Sequence, residues 1–325
     1  MRRFTIVLAV LISAAGAIWF GVWTVIAGRI DDAVVTGLAD AADQGLRLSC
    51  DGQEIGGFPL RFDVVCGKID AKDSASGFQA AMAGLRTATP VYWPWQSKAD
   101  LASPLRLTGG PLPAPVDVTW SAAAISLDTA TPVPDRVAFN AEDLQAAFGE
   151  ISITAVSTQA EAQPTPDRQG ATLALSAAAS RLLWQGQQTN AADITAKVWI
   201  DAPPDAVMRG TFDPRRSGLS IPELTIRLET EGALIQASGP VRFDASGLMS
   251  GKLTVRVAGA EALPAYFRSL PAAAQPAANA FAGGVLVLGA PATLDGRDAK
   301  ALELRIDGGV VRMGPLALGR IPPLF

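Results

Sequence analysis

From residue 4 to residue 28 the chain reads FTIVLAVLISAAGAIWFGVWTVIAG, 25 residues without a charge. As a helix this run is about 37 Å long, enough to cross a hydrocarbon core of about 30 Å with some tilt. From Ile30 to Leu46 the apolar residues take helical spacing, with Ile30, Val34, Leu38, Ala41 and Ala42 on one face. That spacing predicts either a continuation of the membrane helix or a short capping helix, whose N-terminus Asp31 and Asp32 would suit. The period then changes to two. LRFDV (60–64), VDVTW (116–120), ISITAV (151–156), TLALS (172–176), AKVWI (196–200), LTIRLE (224–229), KLTVRV (252–257) and LELRID (302–307) each alternate apolar with polar. Such alternation predicts half-buried strands. Turn residues punctuate them, among them Asp201-Ala-Pro-Pro204, Asp244-Ala-Ser-Gly247 and Asp307-Gly-Gly309.

Two stretches break the alternation. Residues 159–170 (QAEAQPTPDRQG) are polar and proline-bearing, and read as an exposed loop. Residues 260–283 are alanine-rich, and Leu263, Phe267 and Leu270 share a helical face that Pro271 and Pro276 interrupt. The prediction is a mainly β protein. An N-terminal transmembrane helix leads into a large, curved, mostly antiparallel sheet, groove-like or a flattened barrel, with one or two short helices near 260–283. The expected organisation is a tail (1–3), an anchor (4–28), a helical connector (29–46) and one β-rich domain (47–325).

Charge orients the anchor. Arg2 and Arg3 precede the run, and Asp31 and Asp32 follow close behind Arg29. The positive-inside rule places the N-terminus in the cytoplasm and the remainder across the inner membrane, in the periplasm. Trp19 and Trp23 fall in the outer half, where an interfacial aromatic belt is expected. Ala15-Gly-Ala17 has the small-x-small form of a cleavage site, but the apolar run continues through Trp23, so an uncleaved anchor is expected.

Composition removes whole classes of chemistry. There is no histidine, so Ser-His-Asp and Cys-His catalysis and histidine zinc sites are impossible. No Gly-rich phosphate cradle is present, and no basic patch with interleaved aromatics speaks for nucleic acid. Glu223, Glu229, Glu231, Asp295 and Asp298 lie among alternating strands and read as solvated faces. The expectation is a protein without catalytic activity, metal or cofactor.

The chain has two cysteines, Cys50 and Cys66, flanking Gly56-Gly57-Phe58-Pro59. That tetrapeptide is a turn signal. With the hairpin centred near Gly57-Phe58, the two cysteines face each other across its strands. An exported chain would join them in a structural disulfide. Tyr92-Trp93-Pro94-Trp95 is a further uncharged aromatic cluster, suited either to packing under a loop or to gripping a headgroup or peptide.

Several strings together carry a resemblance. The single N-terminal anchor, GGFPLRFDV (56–64), TATPVYWPWQ (87–96), GPVRFDASGLMSGKLTVRVAGAEAL (239–263) and the closing IDGGVVRMGPLALGRIPPL (306–324) resemble the bacterial domain of unknown function 2125 family over nearly the whole chain. The motif that carries it best is Gly57-Phe58-Pro59 followed by Arg61. The resemblance implies an anchored periplasmic protein and brings no catalytic residues. More distantly, the hairpin style looks like AsmA-type and type II secretion N-type envelope proteins, some of the former thought to pass lipids along a groove. Two functions stand open: a binder or carrier of lipid or another apolar ligand, and a structural or assembly factor acting through protein contacts. Tyr92, Trp93 and Trp95 are candidate contacts for either.

Overall fold

The computed structural model describes residues 2–43, 45–110, 112, 114–129, 134–184, 186–208, 212–228, 232–272 and 274–323, with side chains in the first helix from residue 13 onward. The protein is mainly β, and every strand pairing among the described residues is antiparallel. The chain forms two compact units, Met1–Pro115 and Val116–Phe325.

The first unit opens with α1 (Arg2–Asp43), one continuous helix. The apolar run and the connector therefore form a single element of about 63 Å. Its strands are β1 (Leu46–Asp51), β2 (Glu54–Gly56), β3 (Arg61–Cys66), β4 (Lys68–Asp73), β5 (Gln79–Pro90) and β6 (Gln96–Thr108). The long β5 pairs with β6 along one edge and with β4 and then β3 along the other. β1 and β2 lie outside β4 and β3.

The second unit begins with β7 (Val116–Thr119) and β8 (Ala122–Asp128), both paired with β9 (Arg136–Phe148). It continues through β10 (Ile151–Pro164), β11 (Ala171–Trp184), the two-residue β12 (Gln187–Gln188), β13 (Ala192–Asp201) and a single helical turn, α2 (Pro204–Met208). Next come β14 (Gly218–Leu228), β15 (Leu234–Phe243), β16 (Met249–Ala258), a 3-10 turn at Ala260–Ala262, α3 (Leu263–Phe267) and α4 (Gln275–Leu288). The unit ends with β17 (Ala290–Leu294), β18 (Arg297–Asp307), β19 (Val310–Met313) and β20 (Leu316–Arg320). From β9 to β16 the strands pair in chain order as a meander, apart from the short β12, and β16 then pairs with β18.

The core of this unit lies between the sheet and its helices. Leu228, Val255, Val257, Leu263, Phe267, Ala282 and Val285 are buried together, with Leu224, Ile226, Ile235 and Leu253 packed against them. The helices predicted near 260–283 do cover the sheet, and α4 runs on to Leu288. The expected loop at 159–170 shrinks to six residues, because β10 continues to Pro164 and Gln159 to Pro164 pair with Ser176 to Ala171. Gln159-Ala160-Glu161-Ala162-Gln163 does alternate, but alanine is too small to mark a hydrophobic face. Aspartates hold several turns. Asp73 is kept below the usual carboxylate range by the Ser76 hydroxyl and the Ala75 amide, and Asp244 by the Ser246 hydroxyl and the Leu248 amide.

Candidate functional site

The residues singled out by the sequence gather in the first unit. β2 and β3 form a hairpin in which Gly56 faces Asp63 and Glu54 faces Val65, so its centre lies between Pro59 and Leu60. That is two residues past the expected centre, and it corrects the geometry of the cysteines. Along the same register Cys50 faces Ile69, three positions from Cys66. The sulfurs nevertheless lie at bonding distance, with 5.3 Å between the Cα atoms. The offset is absorbed where β3 gives way to β4. There the Gly67 amide donates to the Asp51 carbonyl at 2.7 Å.

Each residue of the Gly57-Phe58-Pro59…Arg61 motif has a local task. Gly57 sits at φ +97°, and a Cβ there would meet the Arg61 carbonyl oxygen at 2.7 Å. Gly57→Ala is therefore expected to cost about 1–3 kcal/mol through strain and crowding. The neighbouring Gly56 has open space where a Cβ would go, so Gly56→Ala is the matched control. Urea denaturation of the two variants checks this, and equal midpoints would refute it. Phe58 meets Phe20 and Trp23 of α1 edge-on at 5.4 and 5.6 Å, and Trp23 stacks on Phe62 at 5.5 Å. The Trp19 indole N–H donates to the Pro59 carbonyl at 2.9 Å, and that of Trp23 to the Arg61 carbonyl at 3.2 Å. Both indoles thus turn onto the hairpin. Arg61 reaches the buried carboxylate of Asp63 at 3.0 Å, and Arg86 reaches the same oxygen at 3.1 Å.

Tyr92, Trp93 and Trp95 occupy the turn between β5 and β6, beside the hairpin. Arg61 pairs with Pro90, and the Val91 amide donates to the Leu60 carbonyl at 3.0 Å. Trp93 and Trp95 face each other at 5.2 Å, and all three rings stay exposed. Two further tryptophans lie far apart in the second unit. Trp184 faces Ile151 at one end of β11, and Trp199 faces Thr172 near the other end, about 40 Å away.

A feature the sequence did not display lies in the second unit. Directly paired residues of an antiparallel sheet point to one face. One row runs Ile226–Ile194–Ala177–Thr158–Ala141–Ala123 across β14, β13, β11, β10, β9 and β8. The adjacent row runs Leu224–Ala196–Leu175–Ala160–Phe139–Ile125. Ile226 and Leu224 belong to the covered core, which fixes both rows on the face that α3 and α4 occupy. Farther along that face Leu175 and Ile194 are exposed. The rows make an apolar lane about 24 Å across, floored by alanines and continuous with the core. The only polar side chain in either row is Thr158, whose Oγ1 is buried without a hydrogen-bond partner. The lane was missed because its floor is alanine. The readable signal was TLALS and AKVWI, adjacent strands in which Leu173 faces Val198 and Leu175 faces Ala196.

The opposite face is polar. Arg136 pairs with Glu161 at 2.7 Å and Lys197 with Glu223 at 3.6 Å, around a depression of about 300 Å³. These are exposed cross-strand pairs in which each cation already has its anion, and such pairs contribute about 0–1 kcal/mol. Asp295 takes φ +49° in the two-residue Asp295-Gly296 turn between β17 and β18, a turn role. Glu229 and Glu231 lie outside the described residues. Among the described residues, no group of three or more acidic or cysteine side chains is placed to hold a metal.

The family model described as "Uncharacterized protein conserved in bacteria (DUF2125)" matches residues 23–322. The chain belongs to this family. The DUF2125 match begins at Trp23, the helix residue stacked on Phe62, and takes in the first unit from there onward and the second almost entirely. No curated protein and no solved structure is detectably similar. α1 is long and apolar enough to cross a membrane.

Proposed function

We propose that this DUF2125 protein is a single-pass inner-membrane protein, N-terminus in the cytoplasm and both β units in the periplasm, that binds or carries an acyl-chain lipid without catalysing a reaction. The observation that carries the reading is the open lane. Leu175 and Ile194 are exposed on the apolar face, and no described element covers them. From β13 to β8, beyond the covered core, the rows span about 19 Å, more than the roughly 15 Å of one leaflet's hydrocarbon, so an extended tail fits along them. Alanines at 160, 177 and 196 leave room for a chain to lie flat between larger neighbours. The anchor tethers the chain to a source of lipid.

Leu175→Asp and Ile194→Asp test this. Each puts a charge where a methylene chain would lie. Each is expected to weaken binding of a fluorescent fatty-acyl probe at least tenfold, since losing one aliphatic contact of about 1.5 kcal/mol or more already suffices. Unchanged urea midpoints would show the fold intact. Parent-like probe affinity in both variants would sink the proposal. Native purification that yields a stoichiometric protein partner and no lipid would replace it with the assembly-factor reading.

A further inference from the structure

We propose that the end of the first unit carrying Phe58, Leu60, Tyr92, Trp93 and Trp95 is seated in the headgroup–acyl boundary of the bilayer that α1 crosses. The inference rests on α1 being a membrane anchor, and adds a second contact with the same bilayer, made by strand ends instead of by the helix.

Depth along α1 leads to this. Trp19 holds Pro59, and Trp23 holds Arg61, through their indole N–H groups. The hairpin tip is thereby fixed at the level of residues 19–23. Trp19 lies fifteen residues beyond Phe4, where the uncharged run begins, or about 22 Å along the helix. With Phe4 at one edge of a core of about 30 Å, Pro59 lies roughly 8 Å inside the other edge, and Arg61 near that edge. Sliding the helix toward Arg29, or tilting it, only takes the tip deeper. Insertion of about 5–10 Å is the usual depth for surfaces that lie in the interface.

The chemistry of the tip fits that depth. Residues 55–60 and 87–97 contain no charge. Leu60 is 63% exposed and Tyr92 68%, with Phe58, Trp93 and Trp95 exposed beside them. Such a group facing water is unfavourable, whereas at an interface it forms an aromatic belt. Exposed backbone polar groups are costly at this depth, and several of the tip's carbonyls are taken up. The Gly57 carbonyl accepts from Arg61, that of Leu60 from Val91, that of Pro90 from Trp93, and that of Trp93 from Gln96. The first charges past the tip, Arg61 and Lys98, flank it at headgroup level.

The test uses the full chain in vesicles of phosphatidylethanolamine and phosphatidylglycerol, with the Cys50–Cys66 bond intact. Leu60→Cys and Tyr92→Cys are spin-labelled separately. Ala15→Cys serves as a reporter of the helix, and Ser76→Cys of the turn at the far end of β5. Collision with dissolved oxygen, which partitions into lipid, is compared with collision with a water-soluble nickel chelate. Labels at 15, 60 and 92 are expected to be oxygen-dominated, and the label at 76 nickel-dominated. Nickel-dominated labels at 60 and 92 with an oxygen-dominated label at 15 would overturn this inference and leave the anchor standing. Nickel dominance at 15 as well would overturn both.

Discussion

Leu263→Ala is expected to lower the unfolding free energy of the second unit by about 2–5 kcal/mol. Leu263 opens α3, is fully buried, and belongs to the cluster of Leu228, Val257, Phe267 and Val285. α3 has five residues, too few for an isolated helix to hold itself together in water. Its place on the sheet depends on what its side chains bury. Truncation removes an aliphatic contact and leaves a cavity between α3 and the sheet that a five-residue helix with Pro264 in its first turn cannot easily close. Leu286→Ala is the control. Leu286 is exposed on α4, and its loss should stay within about 0.5 kcal/mol. Urea denaturation of both variants reads the difference. A Leu263→Ala cost below about 1 kcal/mol would mean that α3 is not seated as described.

What could be read from the chain depended on residue size. Strands such as Lys252–Val257 and Leu302–Asp307 alternate bulky apolar with charged residues, and they appear in the structure within β16 and β18. β9 (RVAFNAEDLQAAF) and β5 (QAAMAGLRTATP) carry four alanines each and no regular alternation of bulky apolar with polar residues, and gave no signal. Alanines at 160 and 162 likewise hid six of the fourteen residues of β10 inside an expected loop. Alanines also concealed the lane, which exists only as rows across six strands and so depends on register. Register was the weak point at the cysteines too. A shift of the hairpin centre by two residues moved Cys50 from opposite Cys66 to opposite Ile69. The tryptophans of α1 show a different limit. Hydropathy places Trp19 and Trp23 near an interface, but it cannot say that their N–H groups are taken up by residues some forty positions later.

The cysteine pair supplies the other large effect. Replacing Cys50 and Cys66 by serine is expected to cost about 3 kcal/mol, the loop-closure value for a separation of 16 residues. The position of the bond argues that the loss falls on the edge of the first unit. β1 pairs with β4, and the three-residue β2 with β3, each along one side. Two short strands paired on one side have few hydrogen bonds to resist fraying. The bond ties their outer ribbon to the junction of β3 and β4, beside the Asp51–Gly67 hydrogen bond. Hydrogen exchange should therefore quicken most at residues 46–56, while the stacking of Trp23 on Phe62 keeps β3 against α1. Either single serine substitution already abolishes the bond and should match the double variant in denaturation. Expression in a reducing cytosol should have the same effect. Digestion of exported protein without reductant should release one linked peptide. Two alkylatable thiols in that sample, together with an unchanged denaturation midpoint in the serine variants, would show that the bond plays no part in the mature fold.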